Sequence, residues 1–528
     1  MEIEYAILPM AIVIYLIARK IQKRKRYSDA RIMLANRTNQ VNRKEECDKV
    51  VRFFQLNCNY LLADNFTRRE IDDLLITQGI SPFDLAEHIV SRIKEMRGLT
   101  LGHQIIPKYK LDVKVSQDVR LKHTHVLGKT GCGKTTLLLN MIRQDLLAGR
   151  GLIIVCYEYE MVDSILSMVP DSRESDVIYL NPADIGQPVS FNPLNLKESE
   201  NIDVKFDNIY SIFVRLLTDT TSRMQEILRH VLYALIEASE TTLLDVAKLL
   251  DNKNPLFRLQ VINNLQNAYT KEFWEHTYTQ YPNNAALPLI HRIGQFLSSV
   301  YCRTILCQRK NSLDIREIID NGKILICNFS DGIIGESNAR ILGRLLVAQI
   351  QTALMSRADT IPQQRKPFFI YLDEFSQFIE DASYEQILRR ARKYGAGLIL
   401  SHQQIGQLPV TLLKDILGNV ATLISFVVSR DDANKLSKEF ILKQPDGQIK
   451  TVSPEHLLNL RVGETFCKIN NHSFFMRTYP FDISLDTQKI ERIKQASRQN
   501  YGVIPEKRET YQPDLTNVIL NEPERVFN

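Results

Sequence analysis

Gly128-Lys129-Thr130-Gly131-Cys132-Gly133-Lys134-Thr135 fits the pattern GxxxxGK[ST], whose glycines let several backbone N–H groups converge on one phosphate chain. In that pattern Lys134 bridges the β- and γ-phosphates of a nucleoside triphosphate, the Thr135 hydroxyl binds Mg²⁺, and Thr136 opens the helix that follows. ATP and Mg²⁺ are therefore the expected cofactors. A loop of this kind needs a carboxylate pair at the end of a neighbouring strand, and Phe368-Phe-Ile-Tyr-Leu-Asp373-Glu374 supplies it. The apolar residues form a buried strand, Asp373 holds Mg²⁺ through water, and Glu374 orients or deprotonates the attacking water. Loop and acids together indicate hydrolysis rather than binding alone.

Two further candidates are less specific. Gln403, just after the apolar run 397–401, either senses the γ-phosphate and positions water or packs and caps a loop. Arg392 belongs to the dense cluster Arg389-Arg390-Ala391-Arg392-Lys393, which is either a solvated helix face or the source of an arginine finger reaching a neighbouring subunit's phosphate.

The elements that must hold these groups follow from the apolar pattern. Short β-branched runs at 124–127, 151–155, 177–180, 323–329, 368–373, 397–401 and 422–428 alternate with amphipathic helices, which predicts an α/β fold with a mostly parallel sheet. Residues 203–313 read as helical throughout. Met224, Ile227, Leu228, Val231, Leu232, Leu235 and Ile236 keep the spacing of a core-facing helix, so an all-α insertion is expected there. Residues 464–469 and 473–478 read as a hairpin, and the prolines beyond 500 mark a poorly ordered tail.

The net charge of +6 has a local origin. Arg19, Lys20, Lys23, Arg24, Lys25 and Arg26 are six cations; the 67 basic residues less these six equal the 61 acids. This run follows an apolar stretch at 5–18, about 21 Å long as a helix. Glu2 and Glu4 at one end and the snorkelling stems of Arg19 and Lys20 at the other make a single uncleaved span feasible, with the residues after it in the cytoplasm. A buried or interfacial helix is the alternative. Eight cysteines without a CxxC pair indicate buried thiols in a reducing compartment. Cys302 and Cys307 lack a second ligand pair for zinc. The expected organisation is a membrane anchor and cationic flank at 1–26, a helical stem at 27–100, an ATPase domain at 101–202 and 314–480, the all-α insertion at 203–313, and a C-terminal helix and tail at 481–528.

The stretches 128–140, 178–195, 369–378, 391–408 and 418–426 resemble the HerA/FtsK-type ring translocases, most closely the TraD/TraG-type conjugative coupling proteins of type IV secretion systems. The resemblance covers about residues 101–480. It implies a RecA-like P-loop NTPase fold with an N-terminal membrane-anchor helix. It also implies a homo-hexamer moving DNA at the bacterial inner membrane, single-pass with a cytoplasmic motor, working with secretion-channel and relaxosome proteins. Where such proteins usually carry Asp-Pro-His-Gly-Asp after the second strand, this chain has Cys156-Tyr157-Glu158-Tyr159-Glu160; an arginine often found after the Ser-Phe strand end is Val427, with Arg430 three residues on. Two other readings stay open: a soluble HerA-like translocase working with a nuclease, and a nucleotide-regulated assembly scaffold. The sequence shows no helix-turn-helix, zinc finger or basic strip, so DNA as partner rests on the resemblance.

Overall fold

The computed structural model describes residues 97–505, apart from 107–108, 198–199, 218–219, 254, 310, 379–382 and 444–448, together with the fragments 45–51, 81, 85–87 and 89–91. The expected anchor at 1–26, most of the stem and the tail beyond 505 lie outside the described residues. No helix among the described residues is long and apolar enough to cross a membrane.

Thirteen strands are described. They are β1 (Leu99–Ile106), β2 (Tyr109–Val115), β3 (Thr124–Leu127), β4 (Gly151–Cys156), β5 (Val177–Leu180), β6 (Ile324–Asn328) and β7 (Phe368–Leu372), followed by β8 (Ala396–His402), β9 (Thr422–Ser425), β10 (Ile441–Lys443), β11 (Ile449–Thr451), β12 (Glu464–Ile469) and β13 (His472–Thr478). All seven apolar runs form strands, and the expected hairpin is β12–β13. The chain divides into two compact units: the described residues of Met1–Asp145 with Gly397–Ile483, and those of Leu146–Ala396 with Ser484–Asn528.

In the first unit the strand order is β2-β1-β13-β12-β9-β3-β8. β3 runs parallel to both neighbours, with Leu127 level with Ser425 of β9 and His402 of β8. All four β3 residues are buried, because both sheet faces are covered. The chain enters β3 through His123, whose Nδ1 accepts from Leu398 N–H at 3.0 Å and whose carbonyl accepts from Thr422 N–H at 3.3 Å. One residue thus sets the register of both neighbours. Leu127, Leu423, Phe466, Val428, Leu436, Phe440 and Leu457 form one apolar cluster. Ahead of β3, buried Arg120 grips Asp145 through two hydrogen bonds of 2.7 and 2.6 Å, fixing the far end of the helix Lys134–Leu147.

The second unit carries β7-β4-β6-β5, all parallel and all buried on the described strands. Between β5 and β6 the described residues form no strand, only an isolated bridge from Val189 to Gly502 and a run of helices from Ile202–Leu216 to Ile315–Asn321. The helix Thr487–Tyr501 lies along the edge strand: Ser497 Oγ accepts from Tyr179 N–H at 2.8 Å. Lys489, Arg492, Lys494 and Arg498 on that helix pair with Asp171, Glu174, Asp163 and Asp184. The seven cysteines among the described residues are all buried thiols.

Candidate nucleotide site

In the first unit, residues 128–133 form a tight loop between β3 and the helix Lys134–Leu147. Gly131 and Gly133 have φ of +75° and +110°, a region that L side chains avoid, which is why the turn is glycine-rich. Gly128 is needed for a different reason. A Cβ there would lie 2.6 Å from both Cys132 Sγ and Phe426 Cβ. Lys129 N–H donates to Val427 O at 2.9 Å and Gly463 N–H to Cys132 O at 3.0 Å, so the loop is braced from both sides. Lys134 is buried, and its ammonium donates to the carbonyls of Gly128 at 2.8 Å and Lys129 at 3.2 Å. Lys129, Thr130 and Gly131 are exposed, Thr135 and Thr136 half-buried. The first N–H groups of the helix have no partner within it, which makes the loop and helix start an anion-binding surface. Burial raises the Cys132 thiol pKa, against the pull of Lys134, and so disfavours its thiolate.

Gln403 leaves β8 directly after His402, and His402 is level with Leu127, the last residue before the loop. Parallel neighbours lie about 4.8 Å apart, so Gln403 and Gly128 leave the sheet side by side. The sequence alone did not reveal what holds this strand end. His125 on β3 and His402 on β8 bring their Nε2 atoms to 2.8 Å, with the rings only 12° from parallel. One Nε2–H donates and the other Nε2 accepts, and burial favours the neutral form of both rings. Burial pushes His125 down to about 3; burial first, then His125 and Lys134, hold His402 well below its ordinary value.

In the second unit, Asp373 and Glu374 follow β7 and are both buried. Asp373 N–H donates to Val155 O at 3.1 Å, extending the β4–β7 ladder by one residue. Glu374 has φ of +46°, an uncommon and strained conformation for a non-glycine residue that re-aims its side chain relative to the strand. The unusual turn after β4 lies against this point. Tyr157 is buried edge-on to Phe378, and burial followed by Asp331, Glu336 and Glu374 raises its phenol to about 12. Burial, with Asp373 adding to it, holds the Cys156 thiol well above its ordinary value. Tyr157 is thus a packing residue under the acid-bearing turn.

Arg392 is exposed, on a single 3-10 turn at Ala391–Tyr394. Gly395 O accepts from Phe368 N–H, the first residue of β7, whereas Asp373 and Glu374 follow its last. Five strand residues span about 16 Å, so one chain does not bring Arg392 and the two acids together.

A parallel sheet with a glycine-rich loop running from strand to helix, and paired acids after another strand, defines a P-loop NTPase. Residues 111–445 match the family described as the type IV secretion-system coupling protein DNA-binding domain, and the chain belongs to that family. It also shares its fold with the plasmid coupling protein TrwB. The TrwB complex with the non-hydrolysable GTP analogue GDPNP superposes with a TM-score of 0.55 at 15% identity, covering 76% of this chain and 94% of that one. TrwB with ADP and Mg²⁺, and TrwB with the ATP analogue ADPNP, each give 0.54 at 15% identity over the same shares. No curated protein sequence matches the chain significantly.

Proposed function

We propose that this protein is a ring-forming ATPase, a coupling motor that uses ATP hydrolysis to move DNA through a type IV secretion system. One observation carries the chemistry: a braced P-loop whose lysine reaches the loop carbonyls, with Gln403 leaving the adjacent strand at the same level. Lys134 exchanges those carbonyls for phosphate oxygens, and residues 128–136 hold the triphosphate through backbone N–H groups. Thr135 and Asp373 offer hard oxygen donors of the kind Mg²⁺ prefers; the ion neutralises phosphate charge when bound. Glu374 activates the attacking water, Gln403 orients it, and Arg392 acts on a nucleotide held by another copy. The TrwB structures with nucleotides and Mg²⁺ support this reading, as does the family's description as DNA-binding. A homo-hexamer at the bacterial inner membrane, anchored by one N-terminal span and working with secretion-channel and relaxosome proteins, completes the proposal.

The test is ATP turnover by the full-length protein in detergent, with and without DNA. DNA should raise the rate, and both Lys134→Ala and Glu374→Gln should abolish it. A rate indifferent to DNA sinks the translocation reading, and negligible turnover by the unaltered chain favours a nucleotide-regulated scaffold.

A further inference from the structure

Four consecutive carbonyls at the base of Arg392 each accept a hydrogen bond. Arg392 O accepts from Gly395 N–H at 3.0 Å, Lys393 O from Arg365 Nη1 at 2.7 Å, Tyr394 O from Arg357 Nη1 at 2.7 Å, and Gly395 O from Phe368 N–H at 2.9 Å. A single exposed 3-10 turn has poor hydrogen-bond geometry of its own and would otherwise be loose. Here the two middle bonds come from guanidinium groups outside the turn.

Those two arginines are themselves fixed. Arg365 Nε donates to Arg357 O at 3.1 Å, Arg357 Nη2 donates to Lys366 O at 3.3 Å, and the Arg365 guanidinium lies 5.3 Å over the Tyr394 ring. Arg357 is 1% exposed, and its Nε lies 3.0 Å from Asp320 Oδ1. Asp320 also pairs with Arg316, which bonds Asp359 at 2.8 Å. The last residue of the turn closes the arrangement. Gly395 has φ of +78°, and a Cβ there would meet Arg365 Cβ at 3.3 Å and Arg357 Nη1 at 3.4 Å. The Arg392 guanidinium has no hydrogen bond or ion pair among the described residues, and the side chain is exposed. The backbone is therefore clamped while the side chain stays available.

We propose that Arg357 and Arg365 are positioning residues that lock the backbone of 392–395, so that Arg392 is presented in a fixed place to a phosphate bound by a second copy of this chain. The inference rests on the reading of Arg392 as a group acting in trans. An ordinary fold-stabilising role predicts something different, because it would harm the altered subunit's own nucleotide site.

Mixed rings separate the two. Full-length protein carrying Arg365→Ala should show a lower kcat, by up to about a hundredfold as for an ångström-scale misplacement, with KM for ATP little changed. Arg365→Lys should rescue only in part, since one ammonium cannot reach both Lys393 O and Arg357 O. Mixing Arg365→Ala subunits with Lys134→Ala subunits should restore turnover, because intact loops then sit beside intact Arg392 groups. Gly395→Ala, tested in the same way, reports on the turn without removing a charge. Wild-type kcat in Arg365→Ala, or a loss that mixing does not restore, overturns the clamp alone. A wild-type rate in Arg392→Ala overturns the reading beneath it, and the clamp with it.

Discussion

At the scale of single residues, the glycines of the phosphate loop are not equivalent. Gly128 is constrained by packing: a methyl group would collide with Cys132 Sγ and Phe426 Cβ, and the second of these is too close to the backbone to swing away. Gly131 faces open space and is constrained only by its φ of +75°. Gly128→Ala should therefore cost about 1–3 kcal/mol of stability through overpacking and also weaken nucleotide binding. Gly131→Ala should cost roughly 1 kcal/mol from backbone strain. Urea unfolding and titration with a fluorescent ATP analogue measure both, and equal costs at the two positions would refute the distinction. Glu374 offers a comparable contrast. Its type and place were evident from the strand and the acids that end it, but its left-handed backbone was not, since glutamate carries no preference for that region.

Among elements, the contact between β3 and β8 makes the P-loop half sensitive to acid. His125 is held near 3 in the fold against an ordinary value of 6.5. The unfolded chain therefore binds more protons between those values, and stability rises with pH across that window. The contribution is complete above about pH 6.5 and is lost as pH falls towards 3. Replacing the histidine by His125→Gln should lower stability at neutral pH and shrink the further loss on going to pH 5. Thermal melts of both proteins at pH 7.5 and 5 check this; an unchanged difference between the two pH values argues against it. The main strands were legible because each is a short apolar run between glycines or polar turns. The β1–β2 hairpin was not. Leu111, Val113 and Val115 alternate with Asp112 and Lys114, but the stretch is short and its partner strand is broken by Gly102-His103-Gln104. Likewise, Arg357, Arg365 and Gly395 share no spacing that marks them as a set. Only the folded backbone, with Gly395 closing the turn onto Phe368, shows their common purpose.

For the whole molecule, the two units are interleaved along the chain, which passes from one to the other near residues 145, 396 and 483. β3 carries the phosphate loop, yet its neighbours β8 and β9 begin at Ala396 and Thr422, the first of them 396 less 127, or 269, residues after Leu127. Such long-range pairing is slow to form. At about 5–20 residues per second, the ribosome needs roughly 13–55 s to make the intervening segment. Throughout that time β3 has neither parallel partner, and the glycine loop has no Phe426 to rest against. Chains shortened to end before residue 396 should fail to bind nucleotide, and binding should appear only once β9 and the β12–β13 hairpin are included. Ribosome-arrested chains of increasing length, probed with labelled ATP analogue, provide the measurement; binding by the shortest would show that the loop forms without its sheet. If the expectation holds, the nascent chain is incapable of burning ATP until more than four-fifths of it has been made, which protects the cell from an idling, half-built NTPase.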